Sequence, residues 1–356
     1  MNGGRILIWY WSGGGGGGQF AVRLAHKLAT RFGADSVALS LRADDPAREA
    51  AAALNLSTQV ADICSDRRKP LMTAAQLVSG ARILREHARG VRKIVVPMNF
   101  ALAAPLSLQL DPPKLVYCAH DPEPHPGDYA QRAQRWTQSI LFARAAHVVA
   151  LSHASRAQLP KLRAQVHVAP LSSVFAPQSQ GARLAGPVHL LFAGRMIAYK
   201  GLGVLADALM RIADRDDWRL TLVGDGPALD EAMLARFRMQ QVTLARRAWL
   251  SDAELEQHIA ACDVLLAPYL SATQSGPIAQ ALAYGKPCIV TPVSALPEQI
   301  GEGAAGWVAR HTSSEAFAAA LTQMLDGAEE RAAKALAAQN LARAAWEGGD
   351  WDWLME

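Results

Sequence analysis

The chain has 356 residues, enough for two domains of ordinary size, each with its own core. Its 51% hydrophobic and 19% charged residues are the balance of a globular protein, which excludes a disordered or fibrous chain, and no apolar run reaches the roughly 18–20 residues that span a bilayer. A net charge of +4 hides an asymmetry: up to Gly186 there are 22 Lys and Arg against 11 Asp and Glu, and from Pro187 onward 14 against 21, so the basic first half suits an anionic surface or substrate.

The first residues lack the basic region, apolar core and cleavage site of a leader. Cysteines 64, 118, 262 and 288 have neither metal-ligand spacing nor the pattern of a disulfide framework, which points to a reducing cytoplasm. Arg5–Trp11 reads as a strand, the six glycines Gly13–Gly18 follow it, and Gln19–Arg31 reads as an amphipathic helix. Backbone in such a loop can approach a phosphate or sugar without side-chain clash, with Gly14, Gly15, Gly16 and Gly17 as candidates; a flexible turn with no ligand is the plain alternative. The run also satisfies G-x-G-x-x-G, and Asp35 falls near the place of a ribose-binding acid, which keeps an NAD-dependent oxidoreductase open as an alternative.

Strand and helix then alternate. Ser36–Leu41, Lys93–Pro97, Leu115–Cys118 and His147–Leu151 are predicted strands, and Pro46–Leu54, Leu71–Arg89 and Tyr129–Arg144 predicted helices, as in a doubly wound parallel sheet. Asp62–Pro70 is a polar, basic loop. Ala119–Gly127 follows a strand end, where open α/β sheets place ligands, and its prolines hold His120 and Asp121 in a fixed relation. No third ligand with convincing spacing supports a metal there.

Periodicity is lost over Ser172–Pro187, and a linker is expected at 176–187. The alternation restarts with predicted strands at Val188–Ala193, Trp218–Val223, Val242–Leu244, Val264–Ala267 and Cys288–Thr291, with helices between them and at Glu315–Leu325. Phe192–Gly201 puts Arg195 and Lys200 on a strand-to-helix loop, where both charges can converge on one phosphate group. Val223-Gly224-Asp225-Gly226-Pro227 is a second glycine turn. The D-x-D of Asp214–Asp216 lies between helix and strand, at the wrong edge of the sheet for a metal, and reads as a turn. Pro268–Thr291 combines a buried strand end, a small polar loop and a helix opened by Gly276-Pro277 and closed by Gly285-Lys286-Pro287, which presents free N–H groups and a positive helix end to an anion. The tail at Trp351-Asp352-Trp353 is expected to pack back on a domain surface.

Together Arg195 and Lys200 after FAG, the GDGP loop, the AYGKP stretch and Leu296-Pro297-Glu298 resemble the retaining family 4 glycosyltransferases of GT-B fold, the glycosyl transferases group 1. The N-terminal glycine loop and the His120-Asp121 strand end fit the same family. The resemblance implies an α/β fold with two Rossmann-like domains whose parallel sheets face a central cleft: 1–175 for the acceptor, 188–340 for the nucleotide sugar, and 341–356 as a helix packing back on the first domain. It implies that Arg195 and Lys200 bind the diphosphate and that His120 lies near the transferring sugar. It further implies that the backbone around Ser275 and Gly276 touches the donor phosphate and sugar, with no metal and no cofactor beyond a GDP- or UDP-hexose substrate. Gly224 and Pro277 are further donor-binding candidates, Gln280 can hydrogen-bond ribose hydroxyls, and Gln274 is the candidate to stand in for Ala272. One departure is plain: the family has two glutamates eight residues apart where this chain has Ala272 and Gln280.

The function expected on these grounds is retaining transfer of a hexose to a glycan or lipid-linked acceptor in cell-surface polysaccharide synthesis, in the cytoplasm or peripherally on the inner face of the membrane, without nucleic acid. With no carboxylate placed as nucleophile, the resemblance favours front-face attack. A catalytically silent sugar-nucleotide-binding protein and a sugar-nucleotide epimerase also remain open.

Overall fold

The computed structural model describes residues 5–12, 16–63, 74–123, 131–178, 186–246 and 251–356, which fall into two compact units. The first holds Met1–Pro170 with Gly349–Glu356, and the second Leu171–Gly348. These divisions differ from the expected boundaries because the long C-terminal helix buries Ala338 and Ala342 in the second unit's core, so that the residues after it, rather than the helix itself, join the first.

In the first unit, seven strands form one parallel sheet. They are β1 (Arg5–Tyr10), β2 (Val37–Arg42), β3 (Thr58–Ala61), β4 (Val91–Val96), β5 (Leu115–Ala119), β6 (His147–Ala150) and β7 (Gln165–Val168), in the order β3-β2-β1-β4-β5-β6-β7. The helices are α1 (Gly16–Phe32), α2 (Ala47–Ala53), α3 (Ala74–His87), α4 (Ala103–Ser107), α5 (Gln131–Arg144) and α6 (His153–Ala157). Right-handed crossovers put α1 and α2 on one face of the sheet and α3, α4 and α5 on the other, and the helix contacts follow that grouping. β1 and β5 are buried on both faces, hence their apolar runs, and β2 is buried as fully although Ser40 interrupts its run. The edge strands β3 and β7 are polar and partly exposed, which is why no apolar run marks them in the sequence.

The second unit has six parallel strands, β8 (Val188–Ala193), β9 (Trp218–Gly224), β10 (Val242–Arg246), β11 (Val264–Ala267), β12 (Cys288–Val290) and β13 (Gly306–Val308), ordered β10-β9-β8-β11-β12-β13. Its helices are α7 (Leu202–Met210), α8 (Glu231–Arg236), α9 (Asp252–Ala261), α10 (Gly276–Ala283), α11 (Leu296–Gln299), α12 (Ser314–Asp326) and α13 (Ala328–Glu347). Trp218, Leu222, Leu265, Ile289 and Phe317 are among the side chains that fill the core between sheet and helices.

The final residues are fastened to the first unit by several kinds of contact. Trp351 is fully buried, and Arg31 of α1 forms an ion pair with Asp352 through two hydrogen bonds. The Trp353 ring stacks on His167 of β7 at 3.6 Å and 5°, while Lys93 of β4 donates to the Trp353 carbonyl at 2.9 Å. His147 and His167 share a hydrogen bond at 3.1 Å. Burial, with His147 and Lys93 close by, pushes the His167 pKa down to about 4, so the ring stays neutral under its indole partner.

Candidate functional site

In a doubly wound sheet, ligands collect outside the carboxyl ends of the strands where the strand order reverses. In the second unit that point lies between β8 and β11. The loop after β8 carries Arg195 and Lys200, and the loop after β11 carries the Pro268–Ser275 segment, so the topology brings both phosphate-binding candidates to one crevice.

Glycines let these loops approach backbone to backbone. A Cβ at Gly201, whose φ is +70°, would stand 1.8 Å from the Pro268 carbonyl oxygen. One at Gly224 would stand 2.0 Å from the Gly194 oxygen, and one at Gly226 2.4 Å from that of Met196. Backbone hydrogen bonds close the same contacts: Leu270 N donates to Tyr199 at 2.7 Å and Met196 N to Asp225 at 2.9 Å. Gly224 therefore holds the loop against the Arg195 turn. The side chain of Arg195 is exposed and forms no hydrogen bond or ion pair with any described residue, which leaves its five donors open to an anion.

The start of α10 is tied down in detail. Ser275 accepts from Ile278 N, its carbonyl takes the N–H of Ala279, and Pro277 has no N–H to offer. Ser275 N donates to Gln299 Oε1 at 2.8 Å, and Gln299 Nε2 returns to the Ser275 carbonyl at 3.2 Å. The expected cluster of free N–H groups is thus reduced, within the Ser275–Ala279 turn, to that of Gly276. Beyond its own turn and chain neighbours, no described atom lies within 4 Å of where a Gly276 Cβ would be, and Gly276 is itself partly exposed. The cationic side chains then carry more of any anion's charge than the helix end does. Lys200 Nζ lies 3.6 Å from the centroid of the Tyr269 ring.

The departure at 272 and 280 has a structural counterpart. Ala272 and Gln274 are buried, and Gln280 is buried with its amide donating to Glu256 of α9 at 3.1 Å. A carboxylate is therefore present beside position 280, supplied by another helix. Sequence reasoning missed Glu256, Gln299 and Tyr269. Tyr269 follows Pro268 directly and could have been found from that neighbour, whereas only three-dimensional proximity identifies Glu256 and Gln299.

In the first unit, the reversal of strand order lies between β1 and β4. Gly16 and Gly17 open α1 at the carboxyl end of β1, and a Cβ at Gly17 would stand 2.2 Å from the Tyr10 hydroxyl; Gly14 and Gly15 lie outside the described residues. His120 follows β5, packs edge-on to Phe20 of α1 and pairs through Nδ1 with Asp121 at 3.1 Å, while Gln138 holds the Asp121 carbonyl at 2.6 Å. The prolines expected to brace this loop, Pro124 and Pro126, lie outside the described residues.

Asp35 is not where a ribose acid must be. It precedes β2, is exposed, and its carbonyl accepts from Arg5 at the start of β1, so it sits at the amino edge of the sheet, opposite the glycine loop. The acids that follow β2 are Asp44, paired with Arg42, and Asp45, buried beside Gly18. The oxidoreductase reading loses Asp35, the acid the sequence offered for it. Asp214–Asp217 lies before β9, where Arg215 bridges Asp217 and Asp326. Among the described residues no group of three His, Cys, Asp or Glu side chains could hold a metal.

Residues 187–327 match the family described as glycosyl transferases group 1. The chain is 30% identical over 178 residues to GDP-mannose:glycolipid 4-beta-D-mannosyltransferase of Xanthomonas campestris, covering 48% of each protein. It is 25% identical over 242 residues to MMP alpha-(1->4)-mannosyltransferase of Mycolicibacterium hassiacum, covering 61% of this chain and 57% of that protein. The chain thus spans about half the length of the curated relatives it matches. In structure it is similar to Anabaena HepE in complex with UDP and glucose, with a TM-score of 0.69 at 19% identity over 96% of this chain and 95% of that one. The fold is the two-sheet α/β arrangement of GT-B proteins.

Proposed function

We propose that this chain, with residues 187–327 in the glycosyl transferases group 1 family, is a retaining glycosyltransferase that moves a hexose from a nucleotide diphosphate sugar to a glycan or lipid-linked acceptor in cell-surface polysaccharide synthesis. The observation that supports the proposal is that the loop carrying Arg195 and Lys200 and the loop leading to Gly276 flank one reversal of strand order. A forked guanidinium, a mobile ammonium and a backbone donor together suit a diphosphate. The Xanthomonas relative, named for GDP-mannose and a glycolipid, supports the donor and acceptor classes.

In the proposed reaction the acceptor hydroxyl attacks the anomeric carbon on the side from which the nucleoside diphosphate leaves. The bond from that carbon to the diphosphate oxygen breaks, the bond to the acceptor oxygen forms, and the departing phosphate takes the hydroxyl proton, so configuration is retained. Arg195 and Lys200 neutralise the charge growing on the leaving group, and the chemistry calls for no metal. Thermal shift with UDP-, GDP- and ADP-sugars tests this. One donor raises the Tm of the wild type and leaves Arg195→Ala unmoved; no shift with any donor overturns the proposal.

The second reading, a catalytically silent binder, is favoured by the apolar side chain of Ala272. Transfer or donor hydrolysis that disappears in Arg195→Ala excludes it. For the acceptor side, α5 exposes Trp136 beside Arg132 and Arg135, and α3 on the same face of the sheet exposes Val78, Arg82 and Arg85. Apolar tips among arginines suit peripheral contact with anionic headgroups on the inner face of a membrane. Among the described residues no helix is long and apolar enough to cross one. Co-sedimentation with vesicles containing phosphatidylglycerol, and not with phosphatidylcholine alone, is the expected result; equal binding to both overturns the membrane contact.

A further inference from the structure

The ring of Tyr269 lies at the junction of the two loops that flank the second unit's crevice. Its side chain is almost wholly buried, which leaves the ring little room to swing away, and Thr291 Oγ1 donates to its backbone carbonyl. Its face lies 3.6 Å from Lys200 Nζ, within the range at which an ammonium is attracted by the ring's negative face. Its hydroxyl lies 3.4 Å from Ser275 Oγ, the cap of α10. The two loops are already locked by the contact of Gly201 with Pro268 and the bond from Leu270 N to Tyr199. What that lock leaves loose is the four-carbon stem of Lys200, whose rotamer freedom is about the largest of any side chain.

We propose that Tyr269 is a positioning residue for anion binding: its ring holds the Lys200 ammonium over the crevice, and its hydroxyl ties that ammonium's platform to the cap of α10. Lys200 is then ordered before an anion arrives, and the ordering cost is removed from the binding step. The inference rests on the reading of this crevice as a nucleoside diphosphate site; the Tyr199 ring, 5.4 Å from the same ammonium against 3.6 Å for Tyr269, is the more distant of the two aromatic neighbours.

Calorimetric titration of the full chain with UDP and with GDP tests it in four proteins: wild type, Tyr269→Phe, Tyr269→Leu and Tyr269→Leu in a Lys200→Ala background. Tyr269→Leu weakens the diphosphate that binds by about 10-fold, and Tyr269→Phe, which keeps the ring, by no more than about threefold. In the Lys200→Ala background, Tyr269→Leu adds no further loss. Loss of equal size with and without Lys200 shows a packing role alone and overturns the proposal.

A second measurement needs no nucleotide. Acetic anhydride labelling read by mass spectrometry gives faster modification of Lys200 in Tyr269→Leu than in Tyr269→Phe or the wild type. Equal rates in all three overturn the proposal. If the wild type binds no nucleoside diphosphate while the labelling rates differ as stated, the donor reading fails and the platform stands.

Discussion

The two sheets share a doubly wound topology, but their carboxyl edges are built by different kinds of contact. In the second unit, Gly201, Gly224 and Gly226 each press against a neighbouring backbone carbonyl. In the first, Gly17 presses against the end of the Tyr10 side chain and Gly18 against the carboxylate of Asp45. A carbonyl in a main chain cannot rotate out of the way, whereas a side chain can repack. The second edge is therefore a fixed frame, and the first is one whose shape side chains set.

The largest expected effect falls on the fixed edge. Arg195→Ala removes the exposed guanidinium and lowers transfer by about 10²–10³-fold in a steady-state assay with the identified donor, the scale of losing one group that stabilises transition-state charge. Gly201→Ala tests the frame itself. With φ at +70° and a carbonyl 1.8 Å from the new Cβ, it costs about 3 kcal/mol or more in urea unfolding. Gly17→Ala, its counterpart in the first unit, costs only about 1–2 kcal/mol because Tyr10 can move. Equal costs for the two would erase the contrast between the edges. Gly16→Ala meets nothing within 4 Å and stays within about 0.5 kcal/mol of wild type.

A pH titration separates the units in another way. The folded-state pKa of His167 lies below the ordinary histidine value, at about 4, so the unfolded chain takes up the proton first as pH falls. The stability this neutral ring contributes is complete above about pH 6.5 and is lost between there and pH 4. The Tm of the first unit falls across that window, and His167→Phe flattens the fall. An unchanged slope would mean that the stack with Trp353 does not depend on the ring's charge.

Periodicity and turn chemistry made most of the fold legible. Buried strands such as β1 and β8 announce themselves as apolar runs, and Gly276-Pro277 and Gly285 bracket α10 correctly. β3 and β7 were hidden because an edge strand needs hydrogen-bond partners more than apolar side chains. At the candidate site, Arg195 and Lys200 could be read because charge after a strand end is local information. The bond from Gln280 to Glu256 could not, since it joins residues 24 apart on two helices. The N–H groups of α10 were overestimated for a similar reason: Gln299, which takes one of them, is distant in sequence.

The attachment of Gly349–Glu356 to the first unit has a consequence for synthesis. A chain made from its N-terminus completes every strand of the first sheet by Val168, yet the indole that stacks on His167 and the carboxylate that pairs with Arg31 are added only after the whole second unit has emerged. On the ribosome, then, the unit begun first is finished last, and a chain halted before Trp351 leaves it with an open apolar seat.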